Sequence, residues 1–597
     1  MQIPYGLADF YSLRKEGQLY VDRTQYIPIV EALGRQLLFL RPRRFGKSLW
    51  LSTMANYYDF RNATEHADLF AGLAMERPTP LAHSYFVLHW DFSIIDPNSP
   101  FGEGSRVQRI GAEIHRYLNN TVKTFVSDFR DHLAQPVDLE SDAFSTLENL
   151  LAAIRQTPYR LYLLIDEYDN FANEVLAADS DAYEELVTTD GPFKRLFKWV
   201  KAAMAGKGID RLFITGVSPL VLSDITSGMN VTESITLYRE LNALCGFTEE
   251  EVEDLLQELH AERDKPPWSV AETLDMLCTW YNGYRFSANA TEAVYNPTLV
   301  LYFLKHLQRT DNYPERILDA NLSADEGKLG YLAHATAGQD AVINLIREER
   351  PLAIRQLLDS FTLRSLMQRS SQDASFLGSY LFYFGMLTLS PGETTPPPHE
   401  LVIPNKAVQG LYMERLREML MPLGTSRTLA DNTVFTFFGD GQLEPLLDFI
   451  EKDLFPTFSN RDATWANELT IKTIFLTLLW NEATYITHSE PELEHRYADL
   501  CLLRRPDVTD TVPDLLFEFK RLPLRDLGMS GHEIRDMSRT KLLQLKAVKK
   551  ALEQAEEQLE AYQSALERRH GHSLKLRSYA VLALGFERLV TRRLEPS

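Results

Sequence analysis

"LLFLRPRRFGKSLWLS", residues 37–52, decides how the first part of the chain folds. The run "RQLLFL" is apolar and of strand length, while "SLWLSTMANYYDF" repeats apolar residues at helical spacing. Gly46, Lys47 and Ser48 therefore fall in the turn between a strand and a helix. Such a turn binds phosphate: backbone N–H groups and the helix N-terminus face the anion, glycine permits close approach, lysine neutralises the outer phosphates and a hydroxyl ligates magnesium. Gly46, Lys47 and Ser48 suit those roles, with Arg43 and Arg44 ahead of them as further nucleotide contacts. The full phosphate-loop (P-loop) pattern has glycine where Arg41 stands, and the tripeptide alone also arises by chance.

An ATP site needs a second strand that ends in acids. "YRLYLLIDEYDNF", residues 159–171, supplies one, with Asp166 placed for the magnesium shell and Glu167 for polarising the attacking water. The plainer alternative is a buried strand that reaches a polar loop. A third strand, "DRLFITGVSPL", ends in Thr215 and Ser218; either is a candidate sensor of the terminal phosphate or an ordinary polar strand end.

At 597 residues and 45% hydrophobic content, the chain predicts two to four globular domains. No signal sequence and no run of about 18 apolar residues occurs, so neither secretion nor membrane spanning is expected. Cys245, Cys278 and Cys501 match no metal spacing and read as reduced thiols of a cytoplasmic protein. A net charge of -21 argues against nonspecific coating of nucleic acid, while local basic segments remain able to hold a strand.

"YGLADFYSLRKEGQLYVDRTQYI", "LRPRRFGKSL", "YLLIDEYDN", "ITGVSPL", "GFTEEEV" and "YNGYRF...VYNPTLVLYFL" together resemble the bacterial AAA-ATPase-like family commonly fused to a PD-(D/E)XK nuclease. The resemblance implies that Arg41 is a family trait and that Asp22, Arg23 and Thr24 lie against the nucleotide. Asn296 and Pro297 fall in a lid-like helical region, where packing is the expected role. Ring-forming relatives complete a neighbour's site with an arginine finger; here Arg239 and Arg211 are only candidates, a solvated arginine being the more ordinary reading of each, and a homo-oligomer is one expected assembly.

The resulting fold expectation is α/β and multidomain. It comprises a P-loop NTPase core (residues 1–245), a helical lid (246–310), a helical and winged-helix-like region (311–445) and a restriction-endonuclease-like domain (446–597). Thr248 is the expected cap of the helix in "GFTEEEVEDLLQEL". Residues 376–416 predict helix, strand, Pro-rich turn, strand, helix, the order of a winged helix that binds DNA or packs on its neighbours.

The C-terminal segment carries a second chemistry. "HRYADLCLLRR" places Asp499 in a short strand, and "TVPDLLFEFKRL" places Glu518 and Lys520 on one face of another, with Phe519 turned away. Two carboxylates share a hard cation that activates water, and a lysine orients that water: the PD-(D/E)XK arrangement. Glu468, near the start of an expected amphipathic helix, is a further active-site acid. Gln558 and Tyr562 resemble the QxxxY helix of exonuclease-type members of that superfamily. Between Lys520 and that helix, Arg535, Arg539, Lys541, Lys546, Lys549 and Lys550 form a basic insertion, either a phosphate-binding patch or a solvated helix face.

The expected cofactors are ATP and Mg²⁺, with Mn²⁺ as a substitute at the nuclease site, and the expected partner is nucleic acid, DNA first, with no membrane. The leading reading is an ATP-regulated or ATP-driven nuclease, set by analogy in defence against phage or mobile elements. Two alternatives stand beside it: a signalling or scaffold ATPase whose nuclease fold binds without cutting, and an RNA-directed nuclease.

Overall fold

β1 (Gln36–Leu40) is buried from Leu37 onward. It belongs to a five-stranded sheet with β2 (Tyr85–Asp91), β3 (Arg160–Asp166), β4 (Ile209–Gly216) and β5 (Glu233–Ser234), in the order β2-β3-β4-β1-β5 with every pair parallel. Parallel strands buried on both faces carry continuous apolar runs without alternation, as β1, β3 and β4 do. The computed structural model describes residues 1–187, 191–225, 232–318, 351–360, 362, 374–392, 399–421, 424–456, 468–489, 492–493, 496–509, 511–570 and 574–594. The chain leaves β1 toward β2 at one edge and leaves the neighbouring β4 toward β5 at the other, so the connections diverge at the β1–β4 pair. A crevice at the carboxyl ends of the strands is the consequence.

Helices Glu249–Ala261, Val270–Tyr281 and Pro297–Thr310 follow the sheet, the first closed by the Thr248–Glu251 capping box and the last by Asn296, whose side chain accepts the Leu299 N–H. Helix Ala374–Tyr383 lies in the chain between the first and second strands of an antiparallel sheet, β6 (Leu352–Ile354), β7 (Thr388–Leu389) and β8 (His399–Val402), whose spatial order is β6-β8-β7. Helix Lys406–Leu420 comes next, so the expected order of elements appears; the Pro-rich turn, residues 393–398, lies outside the described residues.

The chain divides into two compact units: Met1–Asp311 and Pro351–Asn405 fall in the first, and residues 312–318 together with the chain from Lys406 onward in the second. The second unit holds β9 (Tyr485–Ser489), a short ribbon of β10 (Glu492–Leu493) and β11 (Arg496–Tyr497), then β12 (Leu500–Arg504), β13 (Asp514–Leu522), β14 (Leu576–Leu584) and β15 (Arg588–Arg593). Its main sheet runs β15-β14-β13-β12-β9, antiparallel except for β13 and β14. That parallel pair is joined through helix Lys546–His570, which packs on both strands.

Two expectations need correction. Asp499 lies one residue ahead of β12 rather than within it. Helix Glu468–Leu479 is not amphipathic: every residue from Thr470 to Leu479 is buried, because the helix is enclosed rather than lying on a surface. No helix among the described residues is long and apolar enough to cross a membrane.

Candidate functional site

The turn after β1 is built around two left-handed residues. Gly46 has φ 89 and a Cβ there would touch nothing, so the requirement for glycine is conformational rather than steric. Arg44, a non-glycine at φ 66, is held by Thr298, whose hydroxyl donates to the Arg44 carbonyl at 2.8 Å. Lys47 begins helix Lys47–Tyr58, and its Nζ donates to the carbonyls of Arg41 and Pro42, both at 3.1 Å. Ser48 is the next helical residue, and Arg43 donates to Asn170 Oδ1 at 2.5 Å.

Arg41 has a different task. It is 1% exposed and donates to the carbonyls of Leu40 (2.9 Å), Thr236 (2.8 Å) and Leu241 (2.8 Å), with its guanidinium between the rings of Phe39 and Phe286 at 4.3 and 4.1 Å. Burial lowers its pKa, yet an arginine remains a cation at neutral pH. The residue in the pattern's glycine position therefore pins the loop to the core instead of facing phosphate.

Asp166 ends β3, and register brings the ends of β1, β3 and β4 level. Its Oδ1 accepts the Thr215 hydroxyl and the Glu167 N–H (2.9 Å), which leaves Oδ2 for a cation's coordination shell. Thr215 thus positions Asp166. Glu167 has φ 46; burial raises its pKa and the Lys47 cation opposes that rise. Asp169 accepts the N–H groups of Val217 (3.1 Å) and Ser218 (3.0 Å), so Ser218 is also tied to the acidic strand end.

A cavity of about 320 Å³ opens beside the loop, lined by Phe45, Gly46, Lys47, Ser48 and Glu167, by Tyr5 and Arg23 of the N-terminal segment, and by Phe247 and Pro297. An apolar recess next to a phosphate loop suits a nucleoside base. Within "VDRT", Arg23 reaches the cavity while its guanidinium forks onto Glu251 at 2.5 and 2.7 Å. Asp22 accepts from Thr24 and from the Ala74 N–H, so those two residues build a turn. Arg211 lies at the opposite end of β4 and donates to the carbonyls of Gly34 (2.9 Å) and Glu31 (3.4 Å), whereas Arg239 is exposed.

In the second unit, Leu500 pairs with Phe517, which sets Asp499 level with Glu518. Asp499 accepts the Phe519 N–H at 2.7 Å, and Lys520 Nζ donates to Glu518 Oε1 at 2.6 Å. Glu518 is 2% exposed and its Oε2 is buried with no hydrogen-bond donor. Burial, then the Asp499 charge, pushes the Glu518 carboxyl up to about 8; burial also raises Asp499, against the pull of the Lys472 and Lys520 cations. Two crowded carboxylates with an orphaned oxygen fit a divalent cation that keeps most of its own water. Among the described residues, no group of three or more His, Cys, Asp or Glu side chains gathers as a metal site.

Gln558 and Tyr562 lie on the helix that packs against β13 and β14. Tyr562 shares a core with Leu516 and Leu582, and Gln558 Oε1 is buried without a donor. Glu468 is the first residue of its helix, and its side chain lies outside the described residues. In the insertion, Arg535 pairs with Glu587 and Arg539 with Asp448 and Glu451, while Lys541, Lys546, Lys549 and Lys550 are exposed.

Sequence reasoning missed Lys472. It is 3% exposed on the enclosed helix and its charge acts on Asp499. The signal was a lone lysine in "TIKTIFLTLL", where a cation needs a carboxylate partner to be buried.

Residues 4–226 match the model of an AAA-ATPase-like family described as a predicted AAA-ATPase, and the match does not reach the second unit. A curated relative, "Uncharacterized protein in vnfD 5'region" of Azotobacter chroococcum mcd 1, is 26% identical over 306 residues, covering 51% of this chain. The chain spans about half (52%) of that relative's length. Similar solved structures are the Aeropyrum pernix ORC2 protein in ADPNP-ADP complexes (11% identity, 70% of this chain and 97% of that one, TM-score 0.29) and Cdc6p from Pyrobaculum aerophilum (12%, 69% and 96%, 0.26). TM-scores this low bear on neither function nor assembly. The family-model match supports ATPase chemistry in the first unit.

Proposed function

We propose that the chain is an ATP-regulated or ATP-driven, metal-dependent nuclease that cleaves DNA phosphodiester bonds. The observation that carries the nuclease reading is the level pair Asp499 and Glu518 with Lys520 on the same strand as Glu518 and an unsatisfied, buried Glu518 Oε2. The ATPase reading rests on the phosphate loop, the Asp166–Thr215 pair and the cavity beside them.

In the first unit, the N–H groups at the start of helix Lys47–Tyr58 and the Lys47 ammonium hold the phosphates. Ser48 and Asp166 are the residues for Mg²⁺, and Glu167, made more basic by burial, takes hydrogen-bond hold of the attacking water. In the second unit, Asp499 and Glu518 are the cation ligands and Lys520 orients water toward the phosphodiester. When bound, Mg²⁺ stabilises charge on the phosphate and makes water a better nucleophile near neutral pH. In this reading Glu468 is a further active-site acid, and Gln558 and Tyr562 are the QxxxY pair of the active-site helix.

Cleavage of labelled linear and circular DNA, and of RNA, with Mg²⁺ and with or without ATP tests both halves. Lys520→Ala is expected to lower cutting by about a hundredfold or more. Lys47→Ala is expected to leave metal-dependent cutting but abolish its response to ATP. Wild-type protein that binds ATP yet cuts no nucleic acid under any nucleotide condition sinks the nuclease half; cutting of RNA alone reassigns the substrate.

A further inference from the structure

The segment "YNGYRF", residues 281–286, holds no group of either site, yet it touches the nucleotide loop on one side and the end of the first unit on the other. The Tyr284 ring packs edge-on against Phe45 at 4.9 Å, and Phe286 packs against Phe45 at 5.3 Å. Phe45 itself lines the cavity. Arg41 lies over Phe286, and Gly385 approaches Pro42 so closely that a Cβ would stand 2.9 Å from the proline ring. The loop that surrounds phosphate therefore rests on Tyr284 and Phe286.

The opposite side of the same segment grips residues 404 and 405. Gly283 has φ 100, and a Cβ there would stand 2.0 Å from the Pro404 carbonyl oxygen. Asn405 donates from Nδ2 to the Asn282 carbonyl at 2.7 Å, and its side chain hydrogen-bonds the Tyr284 hydroxyl. Asn405 is 9% exposed and ends the last stretch of the first unit; Lys406 opens the long C-terminal stretch of the second. One buried side chain thus has its ring on the nucleotide loop and its hydroxyl on the junction.

We propose that Tyr284 relays nucleotide occupancy of the P-loop cavity to Asn405, where the chain passes into the second unit. The relay rests on the ATP reading above and is independent of what the second unit does. Closely packed aromatic contacts transmit displacement because a dense interior deforms little. A shift of Phe45 on phosphate binding displaces the Tyr284 ring, and the hydroxyl carries that displacement to Asn405.

Hydrogen exchange of the full chain with and without a non-hydrolysable ATP analogue tests it, using wild type, Tyr284→Phe and Asn405→Ala. Tyr284→Phe keeps the ring and removes only the hydroxyl, so the fold is retained. In wild type the analogue is expected to slow exchange over residues 41–49 and to change it by about fivefold or more over residues 399–410, the low end of usual site-to-site coupling. Both variants keep the first effect and lose the second. The relay is overturned if residues 399–410 respond equally in all three proteins, or fail to respond in wild type while 41–49 do. Absence of any effect at 41–49 in wild type overturns the ATP reading itself, and the relay with it.

Discussion

The two candidate sites treat their polar groups in opposite ways. Around the phosphate loop the charged groups are bonded internally: Lys47 bonds its own loop's carbonyls, Asp166 accepts from Thr215 and Glu167, and Arg41 donates to three carbonyls beside two rings, with its Nε buried and unpartnered. In the second unit the two carboxylates stand level, one oxygen lacks a donor, and proton affinity is raised. The first arrangement is preorganised and stable without a ligand. The second crowds two carboxylates whose charged forms burial disfavours.

The largest expected effect breaks the first half of that contrast. Arg41→Met leaves three backbone carbonyls without their donor and is expected to cost about 3–5 kcal/mol, read as a lowered calorimetric transition. An unchanged transition means the buried arginine is not what holds the loop. Next comes the second half. The Glu518 carboxyl is raised from its ordinary 4.5 to about 8 in the folded chain, so the fold holds this proton where the unfolded chain releases it. Metal-free protein therefore loses stability as pH rises across that window, by about 1–3 kcal/mol between pH 5 and 8. Mn²⁺ reverses the loss and Glu518→Gln flattens it; a slope that survives in Glu518→Gln places the titration elsewhere. The smallest effect sharpens the comparison: Thr215→Val removes one hydroxyl from Asp166 and is expected to cost about 1 kcal/mol in denaturant unfolding. A cost several times larger makes Thr215 part of a wider network.

Local features were legible in the sequence. The strand–turn–helix around Gly46, the acids ending β3, the Thr248 cap and the two-residue spacing of Glu518 and Lys520 all follow from periodicity and end-of-element chemistry. What escaped depended on distant partners. Arg41 finds Thr236 and Leu241 some two hundred residues on, and Thr215 finds Asp166 on the neighbouring strand, 49 residues away. Lys472 was visible only as an anomaly, because the enclosure of its helix is a property of the packed unit rather than of its own twelve residues.

Glu251 carries a consequence for how such chains diverge. Its carboxylate accepts the Thr248 N–H at 2.8 Å in the capping box and at the same time takes both terminal nitrogens of Arg23. A mutation at position 251 thus faces two judges in one step. Glutamine keeps the cap but strips Arg23 of its counter-charge, and aspartate shortens the reach to both. One side chain at 251 thus ties the start of a helix to an arginine 228 residues earlier in the chain, so a single exchange there loosens two distant segments at once.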